Sequence, residues 1–333
     1  AIHISLHDLR KQRIPIMIFS TIGVIISTFV VGALLFAAFR LMSMNIPLIQ
    51  CLVFGALISP TDPIAVISIL RKAGIRKSLE IKVAGESLFN DGVAVVLFAV
   101  LLQLARGSEM EITFIHISGL LIQEAGGGLI IGFLLGYIGT HAIKGISSYN
   151  VTVMITLAIV MGGYLITRYL HISGPLTMVA AGLVIGNYGR ATAMSMADKD
   201  YLYKFWELID EILNAMLFMI IGLELLLISD LTQYWLIGLI SIAIVLIARF
   251  FSIWLPIRFI PKIGHFDKNS ITILVWGGLR GGVSVALALT IDKALNQDLF
   301  ISITYYVVVF SIVVQGLTIG KLTEMQRVKG RTK

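Results

Sequence analysis

Residues 85–98 read GESLFNDGVAVVLF, with Glu86 and Asp91 set between the apolar flanks IKVA and AVLLQLA. A charge in hydrocarbon is costly, so an acid there is a functional hypothesis by default. A desolvated carboxylate can hold a proton or a small cation, and burial makes that choice responsive to pH. On a helix turning about 100° per residue, Asn90 lies roughly 40° from Glu86, Ser87 roughly 100° and Asp91 roughly 140°. Glu86 and Asn90 share one stripe, and Ser87 and Asp91 share the next. The two acids therefore face different neighbours and do not make a catalytic acid pair.

Three further groups could meet them. SPTDP, Ser59 to Pro63, has two prolines three apart in an apolar run. Proline removes a backbone donor and clashes with the preceding turn, so a helix must break there. Irregular backbone at membrane depth survives only when buried in protein or lining a wet cavity. Its carbonyls can hold a cation, and Asp62 can offset the positive end of a half-helix. WGGLRGG, Trp276 to Gly282, loosens a second run, with Arg280 against the negative end of a half-helix. Arg249, in IVLIARFFSIW, cannot shed its proton and needs a partner, for which Glu86 is preferred. That leaves Asp91 free to titrate. The blander readings are that Asp91 only accepts hydrogen bonds, and that Glu86 and Arg249 only set geometry. For Asp62 and Arg280 the favoured reading is itself structural, compensation of helix dipoles.

The elements that must position these residues are membrane helices. The chain has 333 residues, 57% hydrophobic but only 14% charged, against about 25% charged in soluble domains. Mean hydropathy is +0.93. Ten segments are long and apolar enough to span: about 14–39, 46–70, 83–105, 117–142, 149–168, 172–188, 204–229, 233–258, 269–291 and 299–320. The 172–188 segment is rich in small residues and suits an interior helix, and the glycines at 126–136 read as packing. Alternate connections carry most of the Lys and Arg, in clusters at 10–13, 71–82, 190–204, 258–268 and 321–333, with Lys144 in the connection between the second and third of these. The others hold only Arg40, Arg106, Arg168 and Lys293. The positive-inside rule puts the basic set, and both ends of the chain, in the cytoplasm. The net charge of +7 is then topology, not a nucleic-acid footprint. Cys51, the single cysteine, carries no disulfide framework. No metal-ligand cluster, phosphate loop or nucleophile–base pair argues for an enzyme. The start at Ala1, without a charged-then-apolar leader, reads as a piece lacking upstream segments.

TDP at 61–63, GESLFND at 85–91, FWELIDEILNAMLFMIIGLEL at 205–225, IAR at 247–249, GGLRGG at 277–282 and VQG at 314–316 occur in one order along the chain. In this the sequence resembles the monovalent cation:proton antiporters, in their sodium–proton exchanger, NhaP-like branch. The resemblance implies an all-α integral membrane protein with an inverted-repeat fold of thirteen helices and two broken, crossing ones. Ten of them would be present here. The first three, with one family carboxylate, would lie upstream of Ala1. Residues 1–105 and 231–325 would form the two halves of an ion-carrying core. Residues 112–144 would be a linking helix, 149–229 part of a dimerisation domain, and 326–333 a basic cytoplasmic tail. Asp91 resembles the cation- and proton-binding aspartate, with Asn90 before it. Ser87 and Thr61 resemble auxiliary sodium ligands, Asp62 the acid of the first break, Glu86 and Arg249 the buried ion pair, and Arg280 the base of the second break. The implied activity is exchange of sodium or lithium for protons, one for one, in a plasma-membrane homodimer needing no cofactor. A potassium–proton antiporter, a carrier of similar architecture, a passive channel and a scaffold are the alternatives.

Overall fold

The computed structural model describes residues 2–331, apart from 3, 64–65, 68–69, 72–74, 76, 108–113, 147, 190–192, 195, 228–232, 264–265 and 267. Lys72, Arg76, Arg190 and Lys333 of the basic clusters lie outside the described residues, as do 112–113 and 229–231 at the expected boundaries. The described residues are almost entirely helical, with no strand among them. Among the described residues, six helices are long and apolar enough to cross a membrane. Such helices suit lipid because each satisfies its own backbone hydrogen bonds.

The chain divides into two compact units. One comprises Ala1–Lys11 and Ile112–Ile220. It holds a short helix α1 (Leu6–Lys11), and the spans α5 (Ser118–Ile143) and α6 (Tyr149–Leu170). It also holds α7 (Gly174–Val184) and most of α8 (Met196–Leu227). Ser173 caps α7 by accepting from the Leu176 amide at 3.4 Å, with Pro175 in the first turn where its missing N–H costs nothing. The buried glycines Gly128, Gly132 and Gly136 turn one face of α5 toward α7, so the two backbones pack closely. In the N-terminal half of α8, Glu207, Asp210 and Glu211 are exposed.

The other unit comprises Gln12–Glu111 and Ile221–Lys333. Its long spans are α2 (Arg13–Leu41), α4 (Lys77–Ala105), α9 (Trp235–Phe259) and α12 (Gln297–Glu324). Between them lie the short helices α3 (Leu48–Ile58), α10 (Lys268–Trp276) and α11 (Gly282–Leu289). The core is built from Val31, Leu35, Phe54, Leu57, Ile244, Phe300 and Ile303 among others, with the Phe54 and Phe300 rings stacked 5.8 Å apart. The run at 46–70 is interrupted where the prolines stand, since α3 stops at Ile58 and residues 59–61 are not helical. The run at 269–291 is interrupted between Trp276 and Gly282. The apolar run starts the third segment at about 83, but α4 begins at Lys77, because its first turns carry charged residues that a hydropathy reading leaves out.

Candidate functional site

The two interruptions meet. The Asp62 amide donates to the Leu279 carbonyl at 2.8 Å, an isolated antiparallel bridge between the two breaks. Charges are set crosswise over this contact. Arg280 Nη1 donates to the Ser59 and Pro60 carbonyls, the latter at 2.9 Å, and so meets the negative C-terminal end of α3. Asp62 sits at the opposite end of the other helix. A Cβ on Gly281, the residue before α11, would come within 2.9 Å of Asp62 Oδ2. The acid thus lies at the positive N-terminus of α11, and only glycine leaves it room.

Helix α4 runs beside the first break. Ser87 Oγ donates to the Thr61 carbonyl, and Asn90 Nδ2 donates to Thr61 Oγ1 at 2.8 Å. By helical rotation alone Asn90 lies with Glu86 and away from Ser87. Here both stripes reach the break, because non-helical backbone at Thr61 offers a carbonyl and a hydroxyl in different directions. Ser87, Asn90 and Thr61 are all buried. Asp91, one residue on, is half-buried, and its electrostatic neighbour is Asp62.

Glu86 turns the other way. Its Oε1 accepts from Arg249 Nη1 at 2.5 Å, with both side chains buried. Arg249 also donates from Nε and Nη2 to the Leu274 carbonyl, at 3.2 and 2.9 Å. That carbonyl lies in the last turn of α10, so the guanidinium both pairs with an acid and closes a helix end. Its path explains Gly278, where a Cβ would strike Arg249 Nε and sit 3.0 Å from Cζ. Glu86, Asn90, Arg249, Arg280, Ser27 and Ser59 line one narrow polar cleft. Ser59 Oγ lies 2.6 Å from the Gly55 carbonyl and 2.9 Å from Ser27 Oγ, tying the break to α2.

Sequence reasoning gave no role to Ser27, Leu274 or the VQG motif. Gln315 and Ser311 are buried in a π-turn (Ser311–Gln315) within α12 and bond to residues of the second break. A π-turn inside an apolar helix is a frequent mark of function, but no spacing in the sequence announces it.

Facing helix breaks with buried, paired charges, inside a bundle of apolar spans, define a multi-pass integral membrane transport protein. Residues 1–325 match the family described as sodium/hydrogen exchanger, transmembrane. The chain is 49% identical over 332 residues to the Na(+)/H(+) antiporter NhaP of Pseudomonas aeruginosa, a match covering 97% of this chain and 77% of that one. It is 34% identical to the Na(+)/H(+) antiporter NhaH of Halobacillus aidingensis, over 94% of this chain and 76% of the relative. Its fold matches the solved structure of the sodium proton antiporter MjNhaP1 from Methanocaldococcus jannaschii, with TM-score 0.79 and 20% identity, over 97% of this chain and 81% of that one. The chain belongs to the sodium/hydrogen exchanger family.

Proposed function

We propose that this protein exchanges sodium for protons across the plasma membrane by competition at Asp91. The observation that carries the reading is the placement of Asp91 beside the first helix break, within electrostatic range of Asp62, with its α4 neighbours Ser87 and Asn90 holding Thr61. The names of the relatives, sodium–proton antiporters at up to 49% identity among those given above, support the choice of ions. The Asp91 carboxylate takes a proton or a sodium ion, not both. Hydroxyl oxygens of Ser87 and Thr61 keep lone pairs for the cation while their protons or partners stay bonded. One carboxylate exposed in turn to each side makes the exchange obligatory. With asparagine at position 90 in place of a second acid, the exchange is one for one and electroneutral.

In this reading, residues 1–105 and 231–325 form the ion-carrying core of a ten-span, inverted-repeat chain. Residues 112–144 link it to a dimerisation part at 149–229, and the 326–333 tail is cytoplasmic. Glu86 and Arg249 hold the core together, while Asp62 and Arg280 balance the broken helix ends.

The test is proton flux in proteoliposomes driven by a series of alkali cations. Sodium should drive flux, and Asp91→Asn should abolish it. Lowering the pH should raise the apparent KM for sodium, because protons occupy the same carboxylate. Normal exchange by the Asp91→Asn protein would refute the mechanism, and flux driven by potassium alone would favour a potassium–proton antiporter.

A further inference from the structure

We propose that Ser311 and Gln315 are positioning residues for this exchange, forming a clip that holds the second break in register with the first. The inference rests on the exchange reading above, and adds to it the residues that place Thr61.

A broken helix inside a membrane protein leaves backbone donors and acceptors that must find partners. At the second break they can be followed one by one. The Leu274 carbonyl accepts from Arg249, and the Leu279 carbonyl from the Asp62 amide. The Trp276 carbonyl accepts from Gln315 Nε2 at 3.0 Å. The Arg280 amide donates to Ser311 Oγ at 2.8 Å. Ser311 in turn donates to Gln315 Oε1 at 2.7 Å, which closes the set. Both ends of the break, Trp276 and Arg280, are thus fastened to one π-turn of α12. A third bond, from Trp276 Nε1 to Thr318 Oγ1 at 2.9 Å, sits one turn further along.

Ser311 and Gln315 are buried in an apolar helix, where polar side chains are costly unless bonded. Each is bonded, either to the other or to the backbone of the break. Two steps connect this clip to the ion site. Ser311 holds the Arg280 backbone, and the Arg280 side chain holds the Ser59 and Pro60 carbonyls. Those carbonyls, and the Asp62 amide held by Leu279, flank Thr61 on both sides. Releasing the clip should therefore spoil the sodium ligands while leaving Asp91 itself unchanged.

The test uses the full-length protein in proteoliposomes. Ser311→Ala should raise the KM for sodium about tenfold, corresponding to ~1.4 kcal/mol, with kcat changed less than twofold. Ser311→Thr, which keeps the hydroxyl, should bring KM back to within about twofold of wild type. A merely structural serine would instead lower the amount of folded protein and leave KM alone. If Ser311→Ala does not fold, Ser311→Cys supplies the same reading, since a thiol keeps the volume but accepts weakly. A wild-type KM in the alanine or cysteine variant overturns the clip. Absence of sodium-driven flux in the wild type would instead overturn the exchange reading, and the clip with it.

Discussion

Arg249 shows how much one side chain can settle. Its guanidinium stays charged, so its surroundings must answer it. They do so twice, with the Glu86 carboxylate and the Leu274 carbonyl. Glu86→Ala removes the charged partner and leaves the cation buried, which should cost roughly 3–5 kcal/mol. The expected result is a clearly lower Tm in detergent, with the KM for sodium close to wild type in whatever protein folds. A Tm equal to wild type would contradict the pairing role. Glu86 could be named from the sequence because few acids lie at membrane depth. Leu274 could not, because any carbonyl becomes an acceptor once the chain brings it close and its helix ends. Asn90 teaches the same lesson, since a helical wheel says where a side chain points but not what comes to meet it.

At the scale of elements, two prolines and a glycine run predict two breaks, and helices α3 and α10 stop at them. The prolines act through a missing donor and a steric clash, both local effects. That the breaks face one another, bridged from Asp62 to Leu279 with Arg280 and Asp62 at each other's helix ends, is not a local matter. It follows from how α3, α10 and α11 pack among the long spans. Gly278 belongs to this scale too. Gly278→Ala would push a methyl group into Arg249. A displaced guanidinium at a packed site should cost about 1–3 kcal/mol. The expected outcome is a lower Tm for Gly278→Ala, with most of that loss absent when it is combined with Arg249→Ala. Simple additivity of the two substitutions would show that they do not act on one another.

For the whole molecule, the apolar composition and the alternating basic connections carry the argument. Cysteine labelling tests the orientation they imply. Ser148 and Lys293 are exposed and lie in connections of opposite kind, whereas the native Cys51 is buried. In intact cells a membrane-impermeant thiol reagent should label Lys293→Cys and spare Ser148→Cys, and in inside-out vesicles the pattern should reverse. Labelling of both from one side would break the orientation. The chain also divides into two compact units, and one of them combines segments far apart in sequence, 12–111 with 221–333.

What the sequence determined by itself was everything governed by local chemistry. It settled that the chain lives in a membrane, because so few of its residues are charged. It settled where helices must break, because proline and glycine act on their own turn. It singled out Glu86, Asp91, Arg249 and Arg280, because ionisable groups at that depth need a reason. Tertiary structure alone decided which partner each group has. The Ser87 and Asn90 bonds to Thr61, the crossed charges at the two breaks and the attachment of Trp276 and Arg280 to the π-turn of α12 join residues up to hundreds of positions apart. Such contacts are fixed by the packing of helices whose apolar surfaces are too uniform for their periodicity to say which face meets which.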